Sequence, residues 1–311
     1  MLKQLIGSIL QARRQRGFNA FAARCRDVRT TQDALLRTLV ARNGKTALAT
    51  RLGASGITKL EDLRKLPVTD YDAIQPELQA ALAGRPDQLV PGAPKFFGMT
   101  SGTTSRAKYI PIDEAYRAEF QSTVQHFLYG IVRDHPKALS QKVLYLVGPA
   151  ALEITPGGAT AGSISGHNLR RLPALIRGLY AVPADAFEVP DADQQAYIVA
   201  RFALAAEISA AFGVTTAPLA IVGATMERHC EALLRDIHDG TLTVSGIAPH
   251  LKSHLTTGLR PSPERARTLT ARIAGKRPIP KHFFPDLALL SWLESCDRVV
   301  HESNFGIHTP L

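Results

Sequence analysis

Short apolar runs alternate with amphipathic stretches through most of the chain, and this alternation restricts the possible fold more than any other feature. The predicted strands are 95–99 (KFFGM), 142–147, 217–222 and 287–292 (LALLSW). The spacing of apolar residues predicts helices over 114–133, 193–212 and 263–275. Strands separated by helices favour a mostly parallel sheet that helices cover on both faces. We therefore predict an α/β fold.

A helical segment precedes this alternation. Apolar residues recur at helical spacing from Leu2 to Leu10, and a second helix is predicted from Thr30 to Asn43, where the following glycine ends it. The first 26 residues carry six basic side chains and no acidic one, which also suits a transit peptide; the single serine and the helical spacing favour a folded helix. The predicted organisation is a helical segment over 1–90 and an α/β core over 91–292.

The net charge of +10 raises the question of a nucleic-acid partner, because basic patches attract phosphate backbones. The basic residues concentrate before residue 65 and between 252 and 281. Neither region interleaves aromatic residues with its arginines, and no helix-turn-helix, zinc-finger or RRM signature occurs. We therefore expect no nucleic-acid partner. A surface for an anionic nucleotide, or an arginine-rich genomic composition, explains the charge better than a nucleic-acid partner does.

The three cysteines, Cys25, Cys230 and Cys296, lie far apart in the chain, without the spacing of a zinc site or a disulfide framework. They favour a reducing cytoplasm. No apolar run reaches the roughly 20 residues of a membrane-spanning helix, so no membrane association is expected. The histidines show no paired ligand spacing, and no protein-borne metal site is predicted.

Small hydroxyl residues and glycine cluster immediately before a lysine, in the segment 100–108 that we call the hydroxyl loop. Its candidate phosphate-binding residues are Thr100, Ser101, Gly102, Thr103, Thr104 and Lys108. Glycine lets the backbone approach a ligand, hydroxyl and N–H groups donate to phosphate oxygens, and lysine supplies a cation. The loop is not a Walker A motif, because Ala107 precedes the lysine and Tyr109 follows it. A surface turn rich in Ser and Thr has the same composition.

The order of residues in this loop favours a phosphate-binding loop over a surface turn, which composition alone does not distinguish. The string TSGTTSRAK resembles TSGTTGxPK, the phosphate loop of the acyl-adenylate-forming superfamily. The first five residues and the final lysine match at the same spacing. Ser105 stands in place of a glycine and Ala107 in place of a proline.

Within that superfamily the chain resembles most the Gretchen Hagen 3 family, the auxin-responsive acyl acid amido synthetases and their bacterial homologues. Further matching segments occur in the same order as in that family. They are 66–76 (LPVTDYDAIQP), 155–158 (TPGG), 189–191 (VPD) and 236–240 (DIHDG). The resemblance covers roughly residues 20–292.

The resemblance implies an adenylate-forming fold and an ATP-dependent ligase. Family members activate a carboxylic acid with ATP and Mg²⁺ to an acyl-adenylate, and an amino acid then attacks it to form an amide. The hydroxyl loop would hold the β- and γ-phosphates. The family pattern also implies a pocket for the acid near the predicted strand 217–222, walled by Gly223, Ala224, Thr225 and Met226.

The resemblance ends near residue 292. Family members are commonly near twice this length, and their two later segments, which contact adenine, Mg²⁺ and ribose, have no counterpart here. Residues 293–311 form a tail unlike the family pattern. The resemblance therefore implies an incomplete large domain that is weakly active or inactive. The alternatives are a non-catalytic remnant or nucleotide-binding protein, and an acyl-CoA ligase that uses coenzyme A as acceptor.

Overall fold

The computed structural model describes residues 2–100 and 107–292. In these residues the helices are α1 (Leu2–Arg24), α2 (Val28–Asn43), α3 (Ala47–Arg51), α4 (Leu60–Leu63), α5 (Gln75–Leu82), α6 (Glu114–Asp134), α7 (Ile164–Arg170), α8 (Ala174–Arg177), α9 (Ala192–Leu204), α10 (Ala217–Arg228), α11 (Cys230–Asp239), α12 (Pro249–Thr256), α13 (Pro263–Ile273) and α14 (Pro280–Phe283). The strands are β1 (Phe96–Met99), β2 (Tyr109–Pro111), β3 (Lys142–Leu146), β4 (Glu153–Ile154), β5 (Thr160–Gly162), β6 (Ile208–Gly213) and β7 (Leu289–Trp292). None of the described helices has both the length and the apolar character needed to cross a bilayer.

The chain divides into two compact units. The first comprises Met1–Arg133 and Ala151–Gly162, and the second comprises Asp134–Ala150 and Ser163–Leu311, each within the part of the chain that the structure describes. The first unit thus contains the helices α1–α5 and also β1, β2 and most of α6. The division of the chain at residue 90 stays a prediction, and the predicted tail over 293–311 lies outside the described residues.

The first unit is built around a four-stranded mixed sheet with the order β2-β1-β5-β4. β1 runs antiparallel to β2 and parallel to β5, and β4 is antiparallel to β5. Phe97 and Ala161 are fully buried on one face of this sheet, where they pack against Leu78, Ala81 and Leu82 of α5. This apolar contact holds α5 against the sheet.

The second unit contains a parallel sheet with the order β3-β6-β7. Helices α7–α9 lie between β3 and β6 in the sequence, and α10–α14 lie between β6 and β7. Parallel neighbours require such crossovers, and apolar side chains of the helices cover the sheet. Ile198, Leu233 and Leu269, from three different helices, are completely buried in this core.

The α/β prediction and the helical N-terminal segment are confirmed. β1, β3 and β7 lie within the predicted strands, and α6 begins at Glu114 as expected. The Asp113 carboxylate caps α6 by accepting a hydrogen bond from the Tyr116 N–H at 2.7 Å. The second helix starts earlier than predicted, because Asp27 accepts a hydrogen bond from the Thr30 N–H and acts as its N-cap.

The single helix predicted over 193–212 is wrong. α9 ends at Leu204, and β6 occupies Ile208–Gly213. No glycine or proline separates the two elements in the sequence. The Arg265 guanidinium of α13 ends the helix instead, since it donates to the Leu204 carbonyl at 2.8 Å and to the Ala206 carbonyl at 2.5 Å. A side chain distant in sequence thus satisfies the carbonyl groups that an ending helix leaves unpaired.

The strand predicted over 217–222 is also wrong, because this segment is the first half of the helix α10. Pro218 lies in its first turn, where the missing N–H costs no hydrogen bond. Leu219, Val222 and Met226 are buried at helical spacing, whereas Ile221 is about half exposed. The apolar run therefore has one buried face rather than the two of a central strand.

Asp236 of α11 joins several segments in the interior of the second unit. Its buried carboxylate accepts hydrogen bonds from the Tyr197 hydroxyl at 2.8 Å, the Thr241 hydroxyl at 2.6 Å, and both the N–H and the hydroxyl of Thr243. The buried Arg201 donates to the carbonyls of Asp236 and Thr241. Burial alone raises the pKa of the Asp236 carboxyl, but these hydrogen bonds outweigh burial and hold the pKa below its usual value.

Replacing Asp236 with alanine is expected to lower the free energy of unfolding by roughly 3 kcal/mol or more, because several buried donors lose their acceptor together. The matched control is Asp239→Ala on the same helix, where the carboxylate is exposed; it should change stability by no more than about 0.5 kcal/mol. Urea unfolding of the two variants and the wild type measures both values. Equal losses in the two variants would contradict the structural role assigned to Asp236.

The lowered pKa of Asp236 predicts a pH dependence of stability. The unfolded carboxyl titrates near pH ~3.9 and the folded one below that, so its contribution is complete above that pH and is lost as pH falls through the folded pKa. The stability difference between wild type and Asp236→Asn should therefore be constant at neutral and mildly acidic pH and narrow below pH ~4. Urea midpoints measured across that range test this, and a gap that widens on acidification contradicts it.

Candidate functional site

The hydroxyl loop connects β1 to β2 and is closed by two hydrogen bonds at its base. Met99 and Tyr109 form the last pair of the antiparallel ladder. Beyond it, the Thr100 N–H donates to the Lys108 carbonyl at 3.1 Å, and the Lys108 N–H donates to the Thr100 hydroxyl oxygen at 3.2 Å. The strand pairing thus fixes the two ends of the loop. The predicted phosphate-binding residues Ser101, Gly102, Thr103 and Thr104 lie outside the described residues.

Lys108 carries an exposed ammonium group at this base. Within the described part of the chain it forms no ion pair, whereas Arg51, Arg170 and Arg265 are each bound to carboxylates. Its Nζ lies 5.3 Å from the centre of the Tyr71 ring, over the ring face. A cation held only by an aromatic face remains available for an anionic ligand.

Two tyrosines support β2, the strand that begins directly after Lys108. The Tyr71 hydroxyl accepts a hydrogen bond from the Tyr109 N–H at 2.8 Å. The Tyr109 hydroxyl in turn donates to the Glu153 carboxylate of β4, and this bond, together with partial burial, raises the pKa of Tyr109. Tyr109 is therefore neutral at physiological pH and acts as a donor. β2 and β4 are the two outer strands of the sheet, and this contact connects them over one face.

The TPGG segment forms a tight turn between β4 and β5. The Thr155 hydroxyl accepts from the Ala159 N–H at 3.1 Å, and Gly158 has a φ of 83°, which suits glycine. Gly157 donates to the Leu82 carbonyl at the end of α5 and lies against Gly84. A Cβ at Gly157 would lie 2.3 Å from the Gly84 nitrogen. The turn thus fixes the sheet to α5 by direct backbone contact.

The described part of this site suits an anionic oxygen ligand. It offers an uncompensated ammonium and a threonine hydroxyl on a base that backbone pairing holds in place. Within residues 2–100 and 107–292 no group of three or more His, Cys, Asp or Glu side chains is arranged to hold a metal ion. Mg²⁺ in nucleotide sites is commonly held by substrate phosphates and only one or two carboxylates, so Mg²⁺ stays a prediction.

The four residues predicted to wall the acid pocket lie on α10. Gly223 and Met226 face the core and line a cavity of about 20 Å³, whereas Ala224 is exposed. The Thr225 hydroxyl donates to the Ile221 carbonyl within the helix. A cavity of this size holds about one water molecule, so these residues do not enclose a space for a carboxylic acid in this structure. Their role in acid binding stays a prediction.

Tyr71 is the residue of this site that sequence reasoning missed as functional. It lies within the segment 66–76 that resembles the family pattern, yet nothing in the linear sequence connects it with Lys108 or Tyr109. The Asp70 carboxylate accepts from the Ala73 N–H at 2.8 Å and opens the short 3-10 helix Asp72–Ile74, which sets the position of Tyr71. The available signal is a tyrosine directly after an aspartate that can cap a short helix, and this signal does not identify a partner.

Replacing Gly157 with alanine is expected to destabilise the first unit by roughly 2 kcal/mol, because the added methyl group meets backbone atoms that cannot rotate away. Gly130→Ala in α6 is the matched control: its Cβ meets nothing within 4 Å, and alanine favours the helix. It should leave stability unchanged or raise it by up to about 1 kcal/mol. Thermal unfolding of both variants provides the test, and a tolerated Gly157→Ala would contradict the close contact.

Comparison with known proteins shows similarity to one group of enzymes. The chain is 24% identical over 271 residues to the jasmonoyl–L-amino acid synthetase GH3.5 of Oryza sativa subsp. japonica, covering 83% of this chain and 46% of the relative. It is 25% identical over 259 residues to the indole-3-acetic acid-amido synthetase GH3.3 of Arabidopsis thaliana, covering 79% and 43%. The chain thus spans less than half the length of these relatives.

A solved structure shares the fold. The GH3.15 acyl acid amido synthetase superposes with a TM-score of 0.68 at 19% identity, over 85% of this chain and 47% of that one. The same enzyme in complex with 2,4-DB gives the same TM-score at 17% identity. The GH3 family N-terminal domain model matches residues 17–296. Because this match extends over most of the sequence, the chain belongs to the GH3 family.

Proposed function

We propose that this chain takes part in the reaction of an ATP-dependent acyl acid amido synthetase. In this reaction a carboxylic acid is adenylated and then joined to an amino acid. Two lines support the proposal. The chain belongs to a family whose relatives are named as amino acid-conjugating synthetases. The hydroxyl loop also has the residue types that bind phosphate, with Thr100 and Lys108 at its base.

The observation that carries the proposal is the state of Lys108. Its ammonium group is exposed, has no carboxylate partner among the described residues, and lies at the closed base of a loop rich in hydroxyl groups. Lysine binds phosphate as a mobile point charge, and the loop hydroxyls supply directional donors.

The chemistry explains why such a group is required. In the first step a carboxylate oxygen attacks the α-phosphorus of ATP, a new P–O bond forms, and the bond to the β-phosphate oxygen breaks. Pyrophosphate leaves with the electron pair of the broken bond, so negative charge increases on the leaving group. Lys108 and the hydroxyl loop would stabilise this charge. Mg²⁺, when bound, would neutralise further charge on the phosphates.

In the second step the amino group of an amino acid attacks the acyl carbon. The bond between the acyl carbon and the AMP oxygen breaks, AMP leaves, and the nitrogen loses a proton as the amide forms. Neither step requires a covalent enzyme intermediate. We therefore propose no nucleophilic side chain, and the chain's role is binding and charge stabilisation.

The chain spans less than half the length of the relatives it matches. Binding of ATP phosphates and turnover of an acid are therefore two separate properties. We propose that the chain binds the phosphates of ATP through Lys108 and the hydroxyl loop. A cytoplasmic location is also proposed. Cys25 and Cys230 are free thiols, which agrees with a reducing compartment.

The experiment measures thermal stabilisation by millimolar ATP with Mg²⁺, and pyrophosphate release with a panel of aromatic and aliphatic acids. Binding to the folded state should raise Tm, and Lys108→Ala should reduce the shift. The control is Lys95→Ala, which removes an equal charge just before β1 and should keep the shift. Coenzyme A in place of an amino acid separates the acyl-CoA ligase alternative. No shift and no pyrophosphate with any acid would exclude the proposed function for this chain.

A further inference from the structure

We propose that Tyr71 is a positioning residue for Lys108, with its ring orienting the ammonium and its hydroxyl supporting the strand. This inference rests on the proposed phosphate-binding role of Lys108. It assigns a separate task to each end of one side chain, so that the two tasks can be tested independently.

The ring supplies the orienting contact. The Lys108 Nζ lies 5.3 Å from the ring centre, and no carboxylate in the described residues competes for it. A lysine side chain has four rotatable carbon–carbon bonds and loses much conformational freedom when it binds a ligand. An aromatic face that already restricts the ammonium removes part of this cost. A lysine ammonium has three N–H donors, so the donors that point away from the ring can bind a polyanion while the ammonium stays over the ring.

The hydroxyl supplies the supporting contact. It accepts the hydrogen bond of the Tyr109 N–H, which belongs to the residue that directly follows Lys108. Tyr71 therefore touches the backbone beside Lys108 as well as its side chain. The ring cannot move relative to the strand without breaking this bond. The position of the aromatic face relative to the backbone beside Lys108 is thus set by one side chain.

The position of Tyr71 is itself determined by neighbouring contacts. The Asp70 carboxylate accepts a hydrogen bond from the Ala73 N–H, and the Gln75 side-chain amide donates to the Tyr71 carbonyl at 3.4 Å. Tyr71 also packs against the apolar cluster of α5 and the sheet. On the other side, Glu153 holds the Tyr109 hydroxyl. The segment before α5 therefore presents Tyr71 to the loop base as a fixed element.

The two tasks predict different results for two substitutions. Tyr71→Leu removes the ring and the hydroxyl, whereas Tyr71→Phe keeps the ring and removes only the hydroxyl. Loss of the ring should weaken binding of inorganic triphosphate about two- to fivefold, the range expected for an exposed cation–π contact. Tyr71→Phe should lower Tm, because the Tyr109 N–H loses its acceptor, while retaining triphosphate affinity within about twofold of wild type.

The test uses the full 311-residue chain and inorganic triphosphate as the probe. Calorimetry gives the affinity of wild type, Tyr71→Phe, Tyr71→Leu, Lys108→Ala and the Tyr71→Leu/Lys108→Ala double variant. Reductive ¹³C-methylation of the lysines gives a second measurement without ligand, since the methyl signal of Lys108 should be shifted by the ring current of Tyr71. Lys108→Arg identifies that signal. The Lys108 methyl signal should lose its ring-current shift in Tyr71→Leu and keep the wild-type shift in Tyr71→Phe.

The inference is supported if Tyr71→Leu weakens binding in the wild-type background but adds nothing to Lys108→Ala. It is overturned if the ring-current shift is absent, if Tyr71→Phe loses as much affinity as Tyr71→Leu, or if Tyr71→Leu costs the same affinity in both backgrounds. The last two results would assign a merely structural role to Tyr71. If Lys108→Ala binds triphosphate as tightly as wild type, the proposed phosphate site itself fails, and the positioning role fails with it.

Discussion

Backbone pairing of β1 with two neighbours is the constraint on which the candidate site depends. β2 on one side and β5 on the other hold β1 by ladder hydrogen bonds, and α5 covers its buried face. The hydroxyl loop leaves β1 and returns along β2, so its ends are fixed before any ligand contributes. Hydroxyl and lysine side chains bind phosphate efficiently only when they are presented together, because each would otherwise lose its own conformational freedom on binding.

The segments that resemble the family pattern have structural explanations as well as functional ones. TPGG packs the sheet on α5 through Gly157, and the segment 66–76 places Tyr71 against the loop base. In the second unit, DIHDG supplies the buried Asp236 and also Gly240, whose φ of 71° ends α11. These are positions where backbone geometry or a buried hydrogen-bond network tolerates little change.

Sequence reasoning succeeded where local signals agreed with tertiary packing. The apolar stripe of α6 and its cap at Asp113 are local features, and the helix forms as predicted. The sequence-based prediction failed where a side chain distant in sequence determines the secondary structure. The boundary between α9 and β6 depends on Arg265, which binds the carbonyls of the intervening turn. The apolar run at the start of α10 is compatible with either a strand or a helix, and only packing against one side selects the helix.

The α/β class, the family resemblance and the composition of the hydroxyl loop follow from the amino-acid sequence, because they depend on residue order and local spacing. The mixed pairing of the first sheet, the helical state of 217–222 and the contact between Tyr71 and Lys108 are visible only in the folded chain. The physical reason is that pairing between strands and contacts between distant side chains depend on how the chain closes its long loops. No short-range pattern records that information.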